Sequence, residues 1–187
     1  MRMLLPSEYD QAYFEGREGD YRHNAGYGDY KETFHPRLAQ RIVDQYPQLV
    51  GERVVEVGCA YGFLVQRLRD LGVDAWGRDV SSFAIGRADA AVAPYLQEGD
   101  ILDAYPVSVK GVITCRTLVC FDETTLNSIV THFNNTFGNK QLHILDMNLN
   151  EKYYQEQTLD WWVNTFPWAS GTRLVMYESW NTEMVKV

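Results

Sequence analysis

Arg53-Val54-Val55-Glu56-Val57-Gly58-Cys59-Ala60-Tyr61-Gly62-Phe63-Leu64 is the stretch whose reading decides the fold. Arg53 to Val57 is short and Val-rich, the pattern of a buried strand. Gly58 and Gly62 bracket a tight turn. Phe63, Leu64, Leu68 and Leu71 then recur at helical spacing, with Gln66, Arg67, Arg69 and Asp70 opposite, and Gly72 closes the helix. A strand, a glycine turn and a helix present backbone N–H groups and a helix N-terminus to a ligand. A dinucleotide fingerprint needs glycine where Ala60 and Phe63 stand, and the Gly-Lys-Ser/Thr of a P-loop is absent.

The chain has 187 residues, enough for one domain with a substantial core. We take residues 1–187 as that single domain. Acidic residues outnumber basic ones, 25 to 17, for a net charge of -8. With no Lys/Arg run, broad phosphate-backbone binding, and so nucleic acid, is disfavoured. No apolar run is long enough to span a bilayer, and no signal-peptide core opens the chain. Cys59, Cys115 and Cys120 lack metal-type pairing and read as free thiols in a reducing cytoplasm; no metal is expected. Nothing in the sequence sets the oligomeric state.

Downstream, Asp74 to Asp79 reads as a second strand. Asp79 stands about 20 residues beyond the glycine turn, where a carboxylate can accept from a vicinal ribose diol. Val80 follows, and Ser81 or Ser82 can cap a helix over Phe83 to Val92. Tyr95 to Gly99 reads as a third strand ending in Gly99-Asp100-Ile101. Gly111 to Cys115 reads as a fourth, and open parallel sheets bind ligands beyond such carboxyl ends, here Arg116 to Cys120. Arg116 suits an acidic substrate, a cofactor carboxylate or a surface ion pair. Asp122 to Thr125 starts a helix whose buried face is Leu126, Ile129, Val130 and Phe133. Gln141 to Asp146 is a fifth strand in which His143 reads as a core histidine. A helix over Glu151 to Phe166 and two closing strands, Thr172 to Ser179 and Glu183 to Val187, complete the pattern.

Glu56-x-Gly58-Cys59-x-x-Gly62-x-Leu64, followed by Gly77-x-Asp79-x-Ser81, resembles the first two motifs of class I S-adenosylmethionine (SAM)-dependent methyltransferases. The resemblance runs along nearly the whole chain. It implies an α/β Rossmann-like fold: a mostly parallel seven-stranded sheet with an antiparallel closing strand and helices on both faces. It further implies SAM as cofactor. Glu56, Gly58, Cys59, Ala60 and Gly62 would shape the methionine site, Asp79 with Val80 and Ser81 the ribose site, and Asp100 with Ile101 the adenine site. Residues 1–34 would be an N-terminal lid arm, with Tyr13, Tyr21 or Arg116 at the methionine carboxylate. The Asn-Pro-Pro-Tyr and Pro-Cys signatures of DNA-methylating enzymes are absent after the fourth strand.

The implied chemistry is in-line methyl transfer to a small organic acceptor, a metabolite or sugar, driven largely by alignment. No side chain identifies itself as general base. Asp146 and His35 are the candidates, although His35 also reads as a helix cap. Two rival readings stand beside this one: a catalytically silent SAM-binding module acting with a partner, and a same-fold aminopropyl transferase.

Overall fold

The computed structural model describes residues 4–15, 30–138, 140–146, 173–177 and 185–186. The strands are β1 (Arg53–Val57), β2 (Asp74–Asp79), β3 (Leu96–Glu98), β4 (Gly111–Cys115) and β5 (Gln141–Asp146), then β6 (Arg173–Tyr177) and β7 (Val185–Lys186). The helices are α1 (Gln11–Glu15), α2 (Tyr30–Thr33), α3 (His35–Gln45), α4 (Phe63–Asp70), α5 (Ser82–Gly86) and α6 (Glu123–Phe137). The first five strands make an all-parallel sheet in the order β3-β2-β1-β4-β5. β6 pairs parallel with β5, and the short β7 pairs antiparallel with β6. This is an α/β Rossmann-like sheet, and the parallel strands β1 to β5 carry the site.

Strand side chains alternate between the two faces, so β1 supplies two cores at once. Val54 faces one layer, packed with Leu38 and Ile42 of α3 and Leu64 and Leu68 of α4. Val55 and Val57 face the other, with Leu126, Ile129, Val130 and Phe133 of α6. Ile42 is wholly buried. Burying such a side chain contributes roughly 1.5–3 kcal/mol, and truncating it to Ala would cost about 2–5 kcal/mol. Asp122 caps α6 by accepting the Thr125 N–H at 2.8 Å, and Gly138 ends that helix.

The expected helix over Phe83 to Val92 is shorter: α5 ends at Gly86. Its last turn tightens, with Arg87 N–H bonding Ala84 C=O and Ala88 N–H bonding Ile85 C=O. Gly86 favours such an ending, and Pro94 stands just beyond. The third strand starts at Leu96, because Tyr95 belongs to a 3-10 turn over Ala93–Tyr95. The helix expected over Glu151 to Phe166 lies outside the described residues, as does Tyr21.

Because the strand order reverses between β1 and β4, the connections leaving those strands diverge to opposite faces. That opens a crevice at their carboxyl ends.

Candidate functional site

The crevice holds a cavity of about 260 Å³. Its floor is the turn after β1. Gly58 has φ +74, and a Cβ built there would lie 2.2 Å from Thr117 Oγ1, so only glycine fits. Thr117 in turn donates to the Val57 carbonyl at 3.0 Å, tying the loop after β4 to the turn after β1. The Gly58 and Cys59 N–H groups both donate to the Arg78 carbonyl, at 2.8 and 3.2 Å.

Asp79 braces the same turn. One carboxylate oxygen accepts the Ala60 N–H at 2.8 Å and the other the Ser81 N–H at 2.8 Å. Each oxygen keeps a further lone pair. Burial pushes the Asp79 carboxyl above its ordinary pKa, while the Ser81, Ala60 and Val80 N–H groups pull the other way. Glu56 shares the site. Burial first and the Asp79 charge second push its carboxyl well above the usual range, against the opposing Val65 N–H. Its Oε2 is buried with no hydrogen-bond partner among the described residues. A buried carboxylate oxygen without a donor is costly, and it marks where a cationic or N–H group of a ligand would be favourable.

The loop after β3 forms the next wall. Asp100 Oδ1 accepts the Leu102 N–H at 2.8 Å, and the Asp100 N–H bonds Asp103 at 2.8 Å, so the turn is locally fixed. Arg78 holds this loop from beneath. Its guanidinium donates to the Asp103 and Ala104 carbonyls at 3.1 and 3.2 Å.

The N-terminal segment covers one side. Phe14 of α1 is buried against Tyr61 and Phe83. The Ser81 hydroxyl donates to the Tyr9 carbonyl, and Arg87 pairs with Glu15 at 2.9 Å. Leu4, Pro6, Tyr9 and Tyr13 reach the cavity wall.

The structure brings Tyr13, His35, Glu56, Gly58, Ala60, Asp79, Val80, Asp100, Ile101 and Arg116 into the lining of this one cavity. Cys59, Gly62 and Ser81 stand behind it. Cys59 is buried with its Sγ toward Gly77, and burial pushes its thiol well up. Gly62 occupies the N-cap of α4, and Ser81 caps α5 by accepting the Ala84 N–H. His35 does not cap α3. Phe34 holds that position, and His35 is the first helical residue, buried, with its ring edge-on to Phe63 at 5.6 Å. Asp146 ends β5, at the carboxyl edge of the sheet.

Sequence reasoning missed Arg78 and Phe34 as lining residues, while Thr117 falls in the expected stretch Arg116 to Cys120. Arg78 carried a signal: a charged residue at the end of a strand whose neighbours read as buried. Phe34 carried none, because its position depends on how α3 docks.

No family model matches this chain. It is 29% identical over 90 residues to the ubiquinone biosynthesis O-methyltransferase of Paraburkholderia phymatum, covering 48% of this chain and 37% of that protein. The Burkholderia multivorans protein of the same name is 30% identical over 90 residues, with the same coverage. The chain thus spans well under half the length of these curated relatives. Among solved structures, magnesium protoporphyrin IX methyltransferase from Synechocystis PCC 6803 with bound SAH superposes with TM-score 0.54 at 15% identity. That match covers 71% of this chain and 68% of the other. The same enzyme with bound SAM gives TM-score 0.53 at 16% identity, covering 73% and 74%. This is the class I SAM-dependent methyltransferase fold, and the chain is similar in sequence to curated members of that family.

Proposed function

We propose that this chain binds SAM in the crevice and transfers its methyl group to a small organic acceptor. The observation that carries this reading is Glu56 Oε2, a buried acceptor without a partner beside the open turn of Gly58 and Ala60. It fits a group bearing positive charge and N–H donors, as the methionine end of SAM does. Asp79, with lone pairs left beyond its two backbone bonds, fits the ribose diol. Asp100 and Ile101 fit the adenine. The covering segment from Leu4 to Glu15 acts as part of a lid.

When bound, SAM supplies an electrophilic methyl group on a sulfonium centre. The protein's own contribution is placement. Glu56 and Asp79 fix the two ends across the turn, and the aromatic side chains of the cover exclude water from the crevice. Holding acceptor and methyl in line replaces a bimolecular encounter by a unimolecular step. His35, on the wall, is the candidate to take a proton from an acceptor that carries one; Asp146 is the second.

One observation favours a catalytically silent SAM-binding module: the loop from Arg116 to Phe121 supplies neither a carboxylate nor an imidazole. Calorimetric titration with SAM and S-adenosylhomocysteine (SAH), followed by an assay for SAH release over an acceptor panel, separates the two. Binding with turnover is expected. Binding without turnover would favour the silent module, and absence of binding by both ligands would remove the cofactor reading.

A further inference from the structure

Two buried carboxyl groups meet at the turn after β1, and what they imply for binding rests on reading the crevice as a SAM site. Glu56 of β1 stands beside Gly77 of β2, so Asp79, two residues further on, lies on the same face of the sheet. Both line the one cavity, and they are only 3% and 8% exposed. Two like charges on one buried face repel with little water to screen them. A pair so placed keeps a proton more readily than either group would alone.

The donors decide where that proton sits. Asp79 accepts the Ala60 and Ser81 N–H groups, one on each oxygen, both at 2.8 Å. Glu56 has the Val65 N–H in the first turn of α4, but its Oε2 has no partner among the described residues. Backbone donors on both oxygens stabilise Asp79 as the anion, whereas a buried oxygen without a donor favours the neutral acid. The proton therefore belongs on Glu56. Tyr9 and Tyr13 of the N-terminal segment, His35 of α3 and Asp100 after β3 line the same cavity. So do Cys115, Arg116 and Cys120 of β4 and its loop, while Cys59 lies behind the turn and Arg78 turns its guanidinium to the Asp103 and Ala104 carbonyls. Of the charges around Glu56, that of Asp79 weighs most, and with burial it raises the Glu56 pKa well above the ordinary carboxyl value.

We propose that Glu56 and Asp79 share one proton in the ligand-free protein, and that the ammonium group of SAM or SAH displaces it on binding. The Glu56 O–H bond breaks, its electron pair stays on the carboxylate oxygen, and the proton leaves to water. The ammonium N–H groups take its place at Oε2. With the proton or with the ammonium the pair carries one net negative charge, so the site keeps the same charge throughout. The free protein holds one proton more than the complex, and affinity therefore rises with pH. Adenosine, which has no ammonium group, leaves the proton where it is.

The test is calorimetry of SAH binding to the full chain at pH 6.5 in phosphate and in imidazole, buffers whose heats of protonation differ. The difference in heat should report the release of about half a proton or more. Between pH 5.5 and 7.5, SAH affinity should rise by about tenfold or more, since each pH unit is worth up to tenfold while the free protein keeps its proton. Glu56→Gln should release no proton and lose the slope, and adenosine should show neither effect in wild type. Infrared spectra give a second reading. The C=O stretch of a protonated carboxyl should persist in ligand-free wild type at pH 6.5, vanish when SAH binds and be absent from Glu56→Gln. No proton release by SAH, an affinity that is flat or falls with pH, or equal release by adenosine overturns the proposal. If wild type binds no SAH, the cofactor reading fails by itself; the acid stretch then decides the shared proton, its presence supporting it and its absence overturning it.

Discussion

The guanidinium carbon of Arg78 lies 4.2 Å from the centre of the Tyr105 ring. Tyr105 in turn donates its hydroxyl to the Ile101 carbonyl at 2.7 Å, and burial pushes its pKa up to about 12. Arg78 therefore joins two walls of the crevice: its carbonyl holds the turn at Gly58, and its side chain holds the loop carrying Asp100 and Ile101.

Arg78→Met should separate these two jobs, because it leaves the carbonyl in place. The loop carbonyls of Asp103 and Ala104 belong to exposed residues, so water can replace the lost donors. The expected stability loss is about 1–2 kcal/mol. Affinity for SAH and for adenosine should fall together, by about tenfold or more, since the adenine-side loop is what loosens. Arg78→Lys should restore little, having neither the fork nor the flat stacking face. Thermal melts and calorimetry check both effects, and unchanged adenosine affinity would contradict the role given to the loop.

Glu56→Gln should show the opposite balance. The Glu56 carboxyl is raised by burial and by Asp79, so the folded state holds its proton more tightly than the unfolded chain does. Its contribution is therefore fullest below the ordinary Glu pKa and is lost as pH rises through the folded value. At neutral pH the ligand-free protein carries a cost that the amide removes. The melting temperature should rise by roughly 2–4 °C for each 1 kcal/mol recovered. SAM affinity should fall by about tenfold, the loss of one charge-assisted contact, while adenosine affinity holds. A variant that melts lower than wild type at neutral pH would refute this account.

The glycine turn, the five parallel strands and the placement of Asp79 were legible because each rests on local rules. Val-rich β1 must be buried, Gly58 must turn, and an acid at the end of β2 must arrive beside that turn. His143 was legible as a core residue because it alternates with Leu142 and Ile144. What was not legible depended on docking. The sequence offers His35 as a cap, but Phe34 takes that place and His35, buried, lines the crevice. The helix after Ser81 continues on paper to Val92, whereas Gly86 and a tightened last turn end it early. Ser81 suggested a ligand to ribose; its hydroxyl is occupied by Ala84 N–H and the Tyr9 carbonyl, a partner far away in sequence.

Gly58→Ala should test the close approach of the two loops. Its Cβ would meet Thr117 Oγ1 at 2.2 Å and Cγ2 at 2.5 Å, at a φ that side chains rarely adopt. A loss of about 1–3 kcal/mol is expected, with SAH affinity falling alongside. Adding Thr117→Ala removes those two atoms but leaves the Cβ at that position, 2.8 Å away, and the strained φ. The double variant should recover part of the stability, so the two substitutions are non-additive. Chemical denaturation of the four proteins in the cycle measures this, and strict additivity would mean the loops do not meet as described.

His143 gives the fold a pH limit of its own. The ring is wholly buried, parallel to Phe133 at 5.9 Å. Gln141 uses its amide nitrogen on Asn134 Oδ1 and the Gly138 carbonyl, which leaves its oxygen to accept from His143 Nε2–H at 3.1 Å. Nδ1 then accepts from the Thr114 hydroxyl at 2.9 Å. Both nitrogens are used by a neutral ring, and burial lowers the pKa from 6.5 to about 3. The unfolded chain takes up the proton first, so stability falls as pH drops from 6.5 toward about 3. The full contribution is on the order of 5 kcal/mol, from 1.36 kcal/mol per pKa unit. Glu56 and Asp79, with raised pKa values, slope the other way in the acid range. The difference between wild type and His143→Gln isolates the histidine. Across that window wild type should lose stability relative to the variant, and parallel curves would show that the imidazole does not stay neutral in the core.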